Sequence, residues 1–349
     1  MCAKYFDDEQ SYKNVDATFK SSDTSSVKNS FDSACFREKS SNLNTSNSGN
    51  SRNVVAVVLA AGSGKRLGCD LPKSLVSLTD CNSKSGVADS TILGQALKNI
   101  CKVDCVRKIV ITVPTGFLNV YEKLLRTDTF FASALDEQFF SLVEGGVSRQ
   151  NSVFKALRYI QNHMNFLNLD SAAVLVHDAA RCFMPVKIIE KLVDVYFDLS
   201  DCKTSKCSNN SSLCESASDK YIINNNSKDS FSVNNNFCVI PVLPIVDSIK
   251  KIINFTELFS QESHFVDRSQ FYKILTPQIF SLENLIFLHK KFYDRSLIEC
   301  SAFCDDSSMV EKAGGKIYHI LGDEAGFKIT TPLDLIIAKH MYANFNAIE

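Results

Sequence analysis

Short apolar runs rich in β-branched and aromatic residues recur along the chain at 54–60, 108–113, 139–143 and 173–176. Unbroken runs of this kind, with no alternation of polar positions, predict strands buried on both faces. Between and after them, apolar residues repeat at helical spacing over 92–100, 149–160, 186–197, 282–292 and 333–342. Ser281-Leu282-Glu283-Asn284 reads as the start of the fourth of these helices, with a hydroxyl at the capping position. Strands alternating with helices predict an α/β fold: a doubly wound, mostly parallel sheet covered on both sides. Ligands of such sheets bind beyond the carboxyl ends of the strands, so the residues that follow each strand are the first place to look for chemistry.

Two stretches break the pattern. Residues 1–52 are dominated by Ser, Asn, Asp and Lys and show no apolar period, which predicts a disordered tail. No apolar stretch follows Met1, so a secretory signal is excluded. A transit peptide is the alternative for a Ser-rich segment, and Asp7, Asp8, Glu9, Asp16, Asp23, Asp32 and Glu38 stand against it. The second stretch, about 201–237, carries two Asn triplets and reads as a surface insertion in a single domain spanning 53–349.

Composition narrows the classes further. The 349 residues are 45% hydrophobic and 22% charged, with 38 basic and 39 acidic side chains and a net charge of −1. That balance argues against a polycation built to neutralise nucleic-acid phosphates. No apolar run approaches the roughly 20 residues that a bilayer-spanning helix needs, so no membrane span is expected. The 13 cysteines are odd in number and lack zinc-site spacing, and the six histidines contain no HExxH pair. Free thiols in a reducing, cytoplasmic compartment are the reading that fits.

The first strand runs into Leu59-Ala60-Ala61-Gly62-Ser63-Gly64-Lys65-Arg66-Leu67-Gly68. Small residues allow close backbone approach, and successive amide groups can cradle phosphate oxygens. This is not a P-loop, because Arg66 occupies the Ser/Thr position and Leu59 that of the first glycine. It is not a dinucleotide loop either, since Leu67 falls where the third glycine belongs. An ordinary strand-to-helix turn with solvated Lys and Arg would account for the glycines alone. The continuation into Asp70-Leu71-Pro72-Lys73, with a second cation after a rigid proline, favours a polyanion site.

With that continuation, the opening resembles the nucleotidyltransferases that build nucleotide-activated sugars and polyols. Further motifs follow in order: Gly145-Gly146-Val147-Ser148-Arg149-Gln150-Asn151-Ser152-Val153, Val176-His177-Asp178-Ala179-Ala180-Arg181 and Asp247-Ser248-Ile249-Lys250. Asp267-Arg268, Leu275-Thr276-Pro277-Gln278 and Lys328-Ile329-Thr330 complete the set. Together they resemble the 2-C-methyl-D-erythritol 4-phosphate cytidylyltransferase family, over nearly all of the chain from Asn53 to Tyr342 except the insertion.

The resemblance implies a Rossmann-like nucleotidyltransferase fold and a reaction between CTP and 2-C-methyl-D-erythritol 4-phosphate that releases pyrophosphate. Both reactants are polyanions, so catalysis is mostly positioning and charge neutralisation. Arg66, Lys73 and Lys328 are the implied catalytic cations. The attacking phosphate monoester, with a second pKa near 6, needs no general base. Ala60, Ala61, Gly62, Ser63, Gly64, Lys65, Gly145, Gly146, Ser152 and Ala179 are the implied CTP contacts, with the two glycines and Ser152 forming the pyrimidine slot. A tight turn ahead of the next helix is an equally simple reason for Gly145-Gly146, and both can hold.

Asp178 follows the fourth strand, where a lone carboxylate suits Mg²⁺ or another divalent cation that takes its remaining ligands from phosphates and water. An Asp interacting with a helix dipole is the plainer alternative. His177 is read as a packed or orienting residue. Ser248, Arg268, Thr276, Asp305 and Thr330 are the implied contacts to the alcohol phosphate. Ser248 and Arg268 belong to an arm, about 245–275, which the family exchanges across a homodimer with shared active sites. Lys250 and Lys251 are read as a solvated strand face.

Several positions depart from the family pattern. Ser74 stands for Gln, Cys182 for Pro, Ser248 for Thr, Cys304 for Thr and Gly326 for Asn, while Val147 stands where a polar side chain is common. None removes a cation or the metal carboxylate. The alcohol-phosphate contacts are the most altered, which keeps a cytidylyltransferase for another polyol phosphate, such as ribitol 5-phosphate, as the runner-up. A non-catalytic nucleotide-binding module is the alternative from a different class, and the retained cations oppose it.

Overall fold

The computed structural model describes residues 52–68, 71–79, 88–164, 171–204, 236–253, 262–293 and 303–345. The expected tail and nearly all of the Asn-rich insertion lie outside the described residues, as does Asp70.

The chain begins with β1 (Val54–Leu59), followed by α1 (Ile92–Cys101), β2 (Val106–Val113), α2 (Leu118–Leu125), α3 (Thr129–Asp136) and β3 (Phe140–Glu144). Next come α4 (Arg149–His163), β4 (Ala173–Asp178), α5 (Val186–Thr204) and β5 (Phe237–Pro244). A two-stranded ribbon, β6 (Ile249–Ile253) and β7 (Glu262–Val266), precedes β8 (Tyr272–Ile274) and β9 (Gln278–Ser281). The chain closes with α6 (Leu282–Tyr293), α7 (Ser307–Lys312), β10 (Lys316–Leu321) and α8 (Pro332–Phe345).

The main sheet has the order β10-β5-β9-β4-β1-β2-β3, with β8 paired to β5. The β3-β2-β1-β4 half is parallel throughout, and β5 and β10 are also parallel to each other. β9 runs antiparallel between β4 and β5. The expectation of a doubly wound, mostly parallel sheet therefore holds, with two reversed strands, β8 and β9, that no local pattern announced.

Both faces of the sheet are covered. Val54, Ala56 and Val58 of β1 join one core, with Ile92, Leu93 and Leu97 of α1, Tyr121 of α2 and Ile189 and Leu192 of α5. The alternate residues Val55 and Val57 join the other, with Val153, Leu157 and Ile160 of α4, Leu285 and Leu288 of α6 and Met309 of α7. The pleat sends successive side chains to opposite faces, which is why an uninterrupted apolar run was required. β3 corrects that expectation: it is an edge strand, and only Phe140 of its five residues is buried.

The helices start where the sequence supplies caps. The Thr91 hydroxyl accepts from the Gly94 amide at 3.0 Å, and the Ser148 hydroxyl from the Asn151 amide at 3.1 Å. The Ser281 hydroxyl likewise accepts from the Asn284 amide at 3.3 Å. The cap at Ser148 makes Arg149 the first residue of α4 and so fixes where its side chain leaves the backbone.

Phe280, fully buried in β9 and part of the second core, ties the reversed strand to α6. Phe280→Ala is expected to destabilise the fold by about 3–5 kcal/mol through lost burial and a cavity. Urea denaturation checks it; a loss below about 1 kcal/mol would mean that the site collapses around the missing ring.

Candidate active site

Register brings the pieces of the site together. Leu59, the last residue of β1, pairs with Asp178, the last of β4, and Val113 of β2 pairs with Glu144 of β3. The glycine loop, Gly145-Gly146 and Asp178 therefore emerge side by side at the carboxyl edge of the parallel half. They enclose a cavity of about 410 Å³ lined by Ala60, Ala61, Gly62, Ser63, Arg66, Lys73, Gly146, Ser152, Asp178, Ala179 and Lys328, among others.

The loop is folded back on itself. The Lys73 amide donates to the Gly62 carbonyl at 3.3 Å and the Leu67 amide to the Gly64 carbonyl at 2.8 Å. Gly64 has φ +67°, and a Cβ there would stand 3.1 Å from both the Leu71 carbonyl and the Lys73 amide nitrogen. Beneath the loop, the Ser74 hydroxyl donates to the Ala60 carbonyl at 2.9 Å and lies 2.6 Å from the Tyr121 hydroxyl. Ser74 is thus buried support for the loop. Lys65 lies in the 3₁₀ turn Lys65–Leu67, and its side chain is outside the described residues.

Opposite, the backbone at Gly145-Gly146 approaches closely enough to exclude any side chain. A Cβ on Gly145 would come within 2.7 Å of Ala61 Cβ, and one on Gly146 within 1.6 Å of Asn151 Oδ1. The Gly146 amide donates to Ser152 Oγ at 3.0 Å, and the Ser152 hydroxyl donates to the Ser148 carbonyl at 2.9 Å. Val147 is 95% exposed at the rim, although it is apolar.

Asp178 is the electrostatic centre. Lys328 Nζ donates to its Oδ2 at 2.6 Å, and Arg149 Nε to its Oδ1 at 3.2 Å. Burial alone would push its pKa up, but the Arg149 and Lys328 cations outweigh burial and hold the carboxyl well below the usual range. Its backbone amide donates to Thr276 Oγ1 at 3.0 Å, and that hydroxyl lies 3.2 Å from His177 Nδ1. His177 is buried, and burial brings its pKa down to about 4, so it is neutral and structural. Lys73 Nζ donates to the Ile329 carbonyl at 2.8 Å, which aligns it beside Lys328. Burial, and then repulsion from Lys328, bring its pKa down to about 8.

Among the described residues, no three His, Cys, Asp or Glu side chains converge as a preformed metal cage. A single ionised carboxylate facing a cation-lined cavity nevertheless fits a hard divalent ion that borrows phosphate and water ligands.

Several residues singled out from the sequence do not line the cavity. Thr276 sits behind Asp178. Asp305 accepts from the Ser308 amide at 3.0 Å and from Gln278 Nε2 at 2.7 Å at the start of α7. The Thr330 amide donates to Asp334 Oδ2 at 2.8 Å and its hydroxyl to the Lys328 carbonyl at 3.0 Å. Ser248 and Arg268 are exposed near the ribbon, where Arg268 donates to the Val246 carbonyl. Conversely, Arg149 went unnoticed as a site residue. The available signal was its place directly after a helix cap at the carboxyl edge of the sheet.

A glycine loop, a cation cluster and a carboxylate at the carboxyl edge of a doubly wound sheet define an α/β nucleotide-binding fold of the nucleotidyltransferase kind. The sequence model of the family described as IspD: 2-C-methyl-D-erythritol 4-phosphate cytidylyltransferase matches residues 54–205 and 219–344. The chain belongs to that family. A 2-C-methyl-D-erythritol 4-phosphate cytidylyltransferase of Dictyoglomus thermophilum is 27% identical over 283 residues, covering 81% of this chain and 94% of the relative. A bifunctional IspD/IspF enzyme of Tropheryma whipplei is 30% identical over 80% of this chain, which spans 54% of that longer protein. The crystal structure of the Francisella tularensis 2-C-methyl-D-erythritol 4-phosphate cytidylyltransferase shares the fold, with a TM-score of 0.54 at 22% identity over 84% of this chain and 99% of its own.

Lys73 is a cation below about pH 8 and loses its charge as pH rises through that value. Turnover is therefore expected to decline on the alkaline side. Arginine stays protonated there, so Lys73→Arg, at whatever residual rate, should carry the decline to higher pH. A pH–rate profile in both proteins checks this, and a limb at the same pH in each would assign it to another group.

Proposed function

We infer that the chain transfers a cytidylyl group from CTP to 2-C-methyl-D-erythritol 4-phosphate, giving 4-diphosphocytidyl-2-C-methyl-D-erythritol and pyrophosphate on the route to isoprenoid precursors. The observation that carries this reading is the convergence of Arg66, Lys73 and Lys328 with Asp178 on one cavity, between a glycine loop and Gly145-Gly146.

In this reading the close-set backbone of Ala60, Ala61, Gly145 and Gly146, with Ser152, admits a flat pyrimidine and answers its polar edge. The amides of Gly62, Ser63, Gly64 and Lys65 face the triphosphate, and Ala179 abuts the ribose. Arg66, Lys73 and Lys328 spread positive charge over the α-phosphate as the attacking oxygen approaches, an effect that grows as charge accumulates in the transition state. The substrate phosphate is its own nucleophile, so the protein's work is alignment and charge. Asp178 would hold the divalent cation, Mg²⁺, which neutralises phosphate oxygens when bound.

Of the residues implied for the alcohol phosphate, the exposed Ser248 and Arg268 are assigned to it, whereas Thr276, Asp305 and Thr330 are engaged in the internal hydrogen bonds described above. Ser248 and Arg268 would act from a partner protomer. The ribbon and its flanks support this: Phe265 is 83% exposed, and Val246, Ile252 and Phe271 are about half exposed or more, an apolar surface suited to a second copy of the chain. Among the described residues no helix is long and apolar enough to cross a membrane; a cytoplasmic location belongs to this reading through its free cysteines.

Purified protein given CTP, Mg²⁺ and 2-C-methyl-D-erythritol 4-phosphate should release pyrophosphate. Turnover with ribitol 5-phosphate alone would reject the assigned alcohol. For the shared site, Arg268→Ala and Asp178→Ala should each be nearly inactive, whereas mixing them should restore activity, because one site of each heterodimer keeps both residues. No recovery after verified subunit exchange would confine the site to a single protomer.

A further inference from the structure

We propose that Arg149 is a positioning residue: clamped between Asp178 and a buried Asp306–His289 pair, it keeps the Asp178 carboxylate aimed into the cavity when Lys328 leaves it for the phosphates of the ligand. The proposal rests on the functional reading of Asp178 and Lys328 and adds a division of labour between the two cations.

The two cations that touch Asp178 are held very differently. Lys328 reaches it with one flexible stem and one hydrogen bond, from a side chain that is 38% exposed. Arg149 is anchored on both sides. Its Nε donates to Asp178 Oδ1 at 3.2 Å, and its Nη1 donates to Asp306 Oδ2 at 2.5 Å. Nη2 has no partner among the described residues, so these two carboxylates are the guanidinium's whole anchorage.

Asp306 is fully buried, and its second oxygen lies 2.9 Å from His289 Nε2. The His289 ring in turn stacks on Phe154 of α4, with centroids 6.1 Å apart and planes 6° from parallel. Gln150, which follows Arg149 in the first turn of α4, donates from its side chain to the Phe303 carbonyl. The first turn of α4, the middle of α6 and the 303–306 segment are thereby locked into one unit directly behind Asp178.

This asymmetry decides what an arriving polyanion can take. A phosphate can draw Lys328 away while Arg149 still faces Asp178, and the partly exposed ammonium need not give up its contact with solvent to do so. Drawing Arg149 away would strand Asp306, a carboxylate with no access to water, and breaking a buried ion pair from one side is strongly unfavourable. Arg149 therefore stays, and its planar fork fixes one oxygen of Asp178 while the other is released. Lys328 becomes the cation that travels and Arg149 the one that does not. Neither His289 nor Asp306 touches the cavity; both act through Arg149.

The test is the double variant Arg149→Gln/Asp306→Asn, which removes one positive and one negative charge and leaves no buried ion unpaired. Pyrophosphate release in the full chain should show kcat reduced by about 10²-fold, as expected for loss of alignment. KM for CTP should stay within about threefold, since ground-state binding is little changed. Retained cooperative melting accompanies this result. A kcat close to wild type, or a raised KM with kcat unchanged, would overturn the positioning role. If the double variant does not fold, His289→Gln, which alters no charge at Arg149 or Asp306, takes its place. There a fall in kcat at constant KM supports the role, and an unchanged kcat refutes it. A wild-type chain releasing no pyrophosphate from CTP and 2-C-methyl-D-erythritol 4-phosphate would instead overturn the functional reading underneath.

Discussion

Only about a tenth of the Asp178 side chain is exposed at the end of β4; burial opposes its charge, and it remains an anion because two cations stand against it. That constraint organises the rest of the site. Lys328 must arrive from the loop before α8, and Arg149 from the first turn of α4, so two segments remote in sequence have to dock on the carboxyl edge of the sheet. Arg149 can do so only because Ser148 caps the helix immediately before it and Asp306 receives the other side of its guanidinium. The charges balance locally: Arg149 and Lys328 against Asp178 and Asp306. Such a cluster tolerates burial, yet gains a net need for positive charge once a triphosphate is added.

The second requirement is closeness of backbone to ligand. Ala61 and Gly145 stand so close that a Cβ on Gly145 would fall 2.7 Å from the Ala61 methyl. The loop is kept there by Ser74 and Tyr121, whose hydroxyls both reach the Ala60 carbonyl, at 2.9 and 3.2 Å. The short hydroxyl of Ser74 serves the loop from below. Val147, apolar and exposed at the rim, offers its neighbours only backbone groups.

Much of the fold could be read from apolar periodicity because a doubly wound sheet makes unusually clean demands. Strands such as β1 and β4 must be apolar on both faces until they reach the carboxyl edge, and helices such as α1 and α4 must show one apolar face. β9 escaped notice because its four residues are too short to display a period, and its direction is set by pairing between β4 and β5. β3 lies where the apolar run puts it, yet it is only partly buried, since nothing local distinguishes an edge strand from an inner one. The site was legible to the same degree. Contiguous motifs located the glycine loop, Lys73, Asp178 and Lys328. Arg149, Asp306 and His289 were not marked as a unit, because their association spans more than 150 residues and leaves no spacing signature.

The sequence by itself determined the class of fold, the family and the residue types that the chemistry requires, since each of these is written in patterns of neighbouring residues. Only the tertiary structure decided which cations share Asp178, which of them is anchored on a second buried carboxylate, and that Thr276 and Ser74 support the site from behind. The reason is physical. Periodicity and motifs encode local burial and backbone freedom, whereas the partner of a buried charge is chosen by whatever the folded chain places within hydrogen-bonding distance.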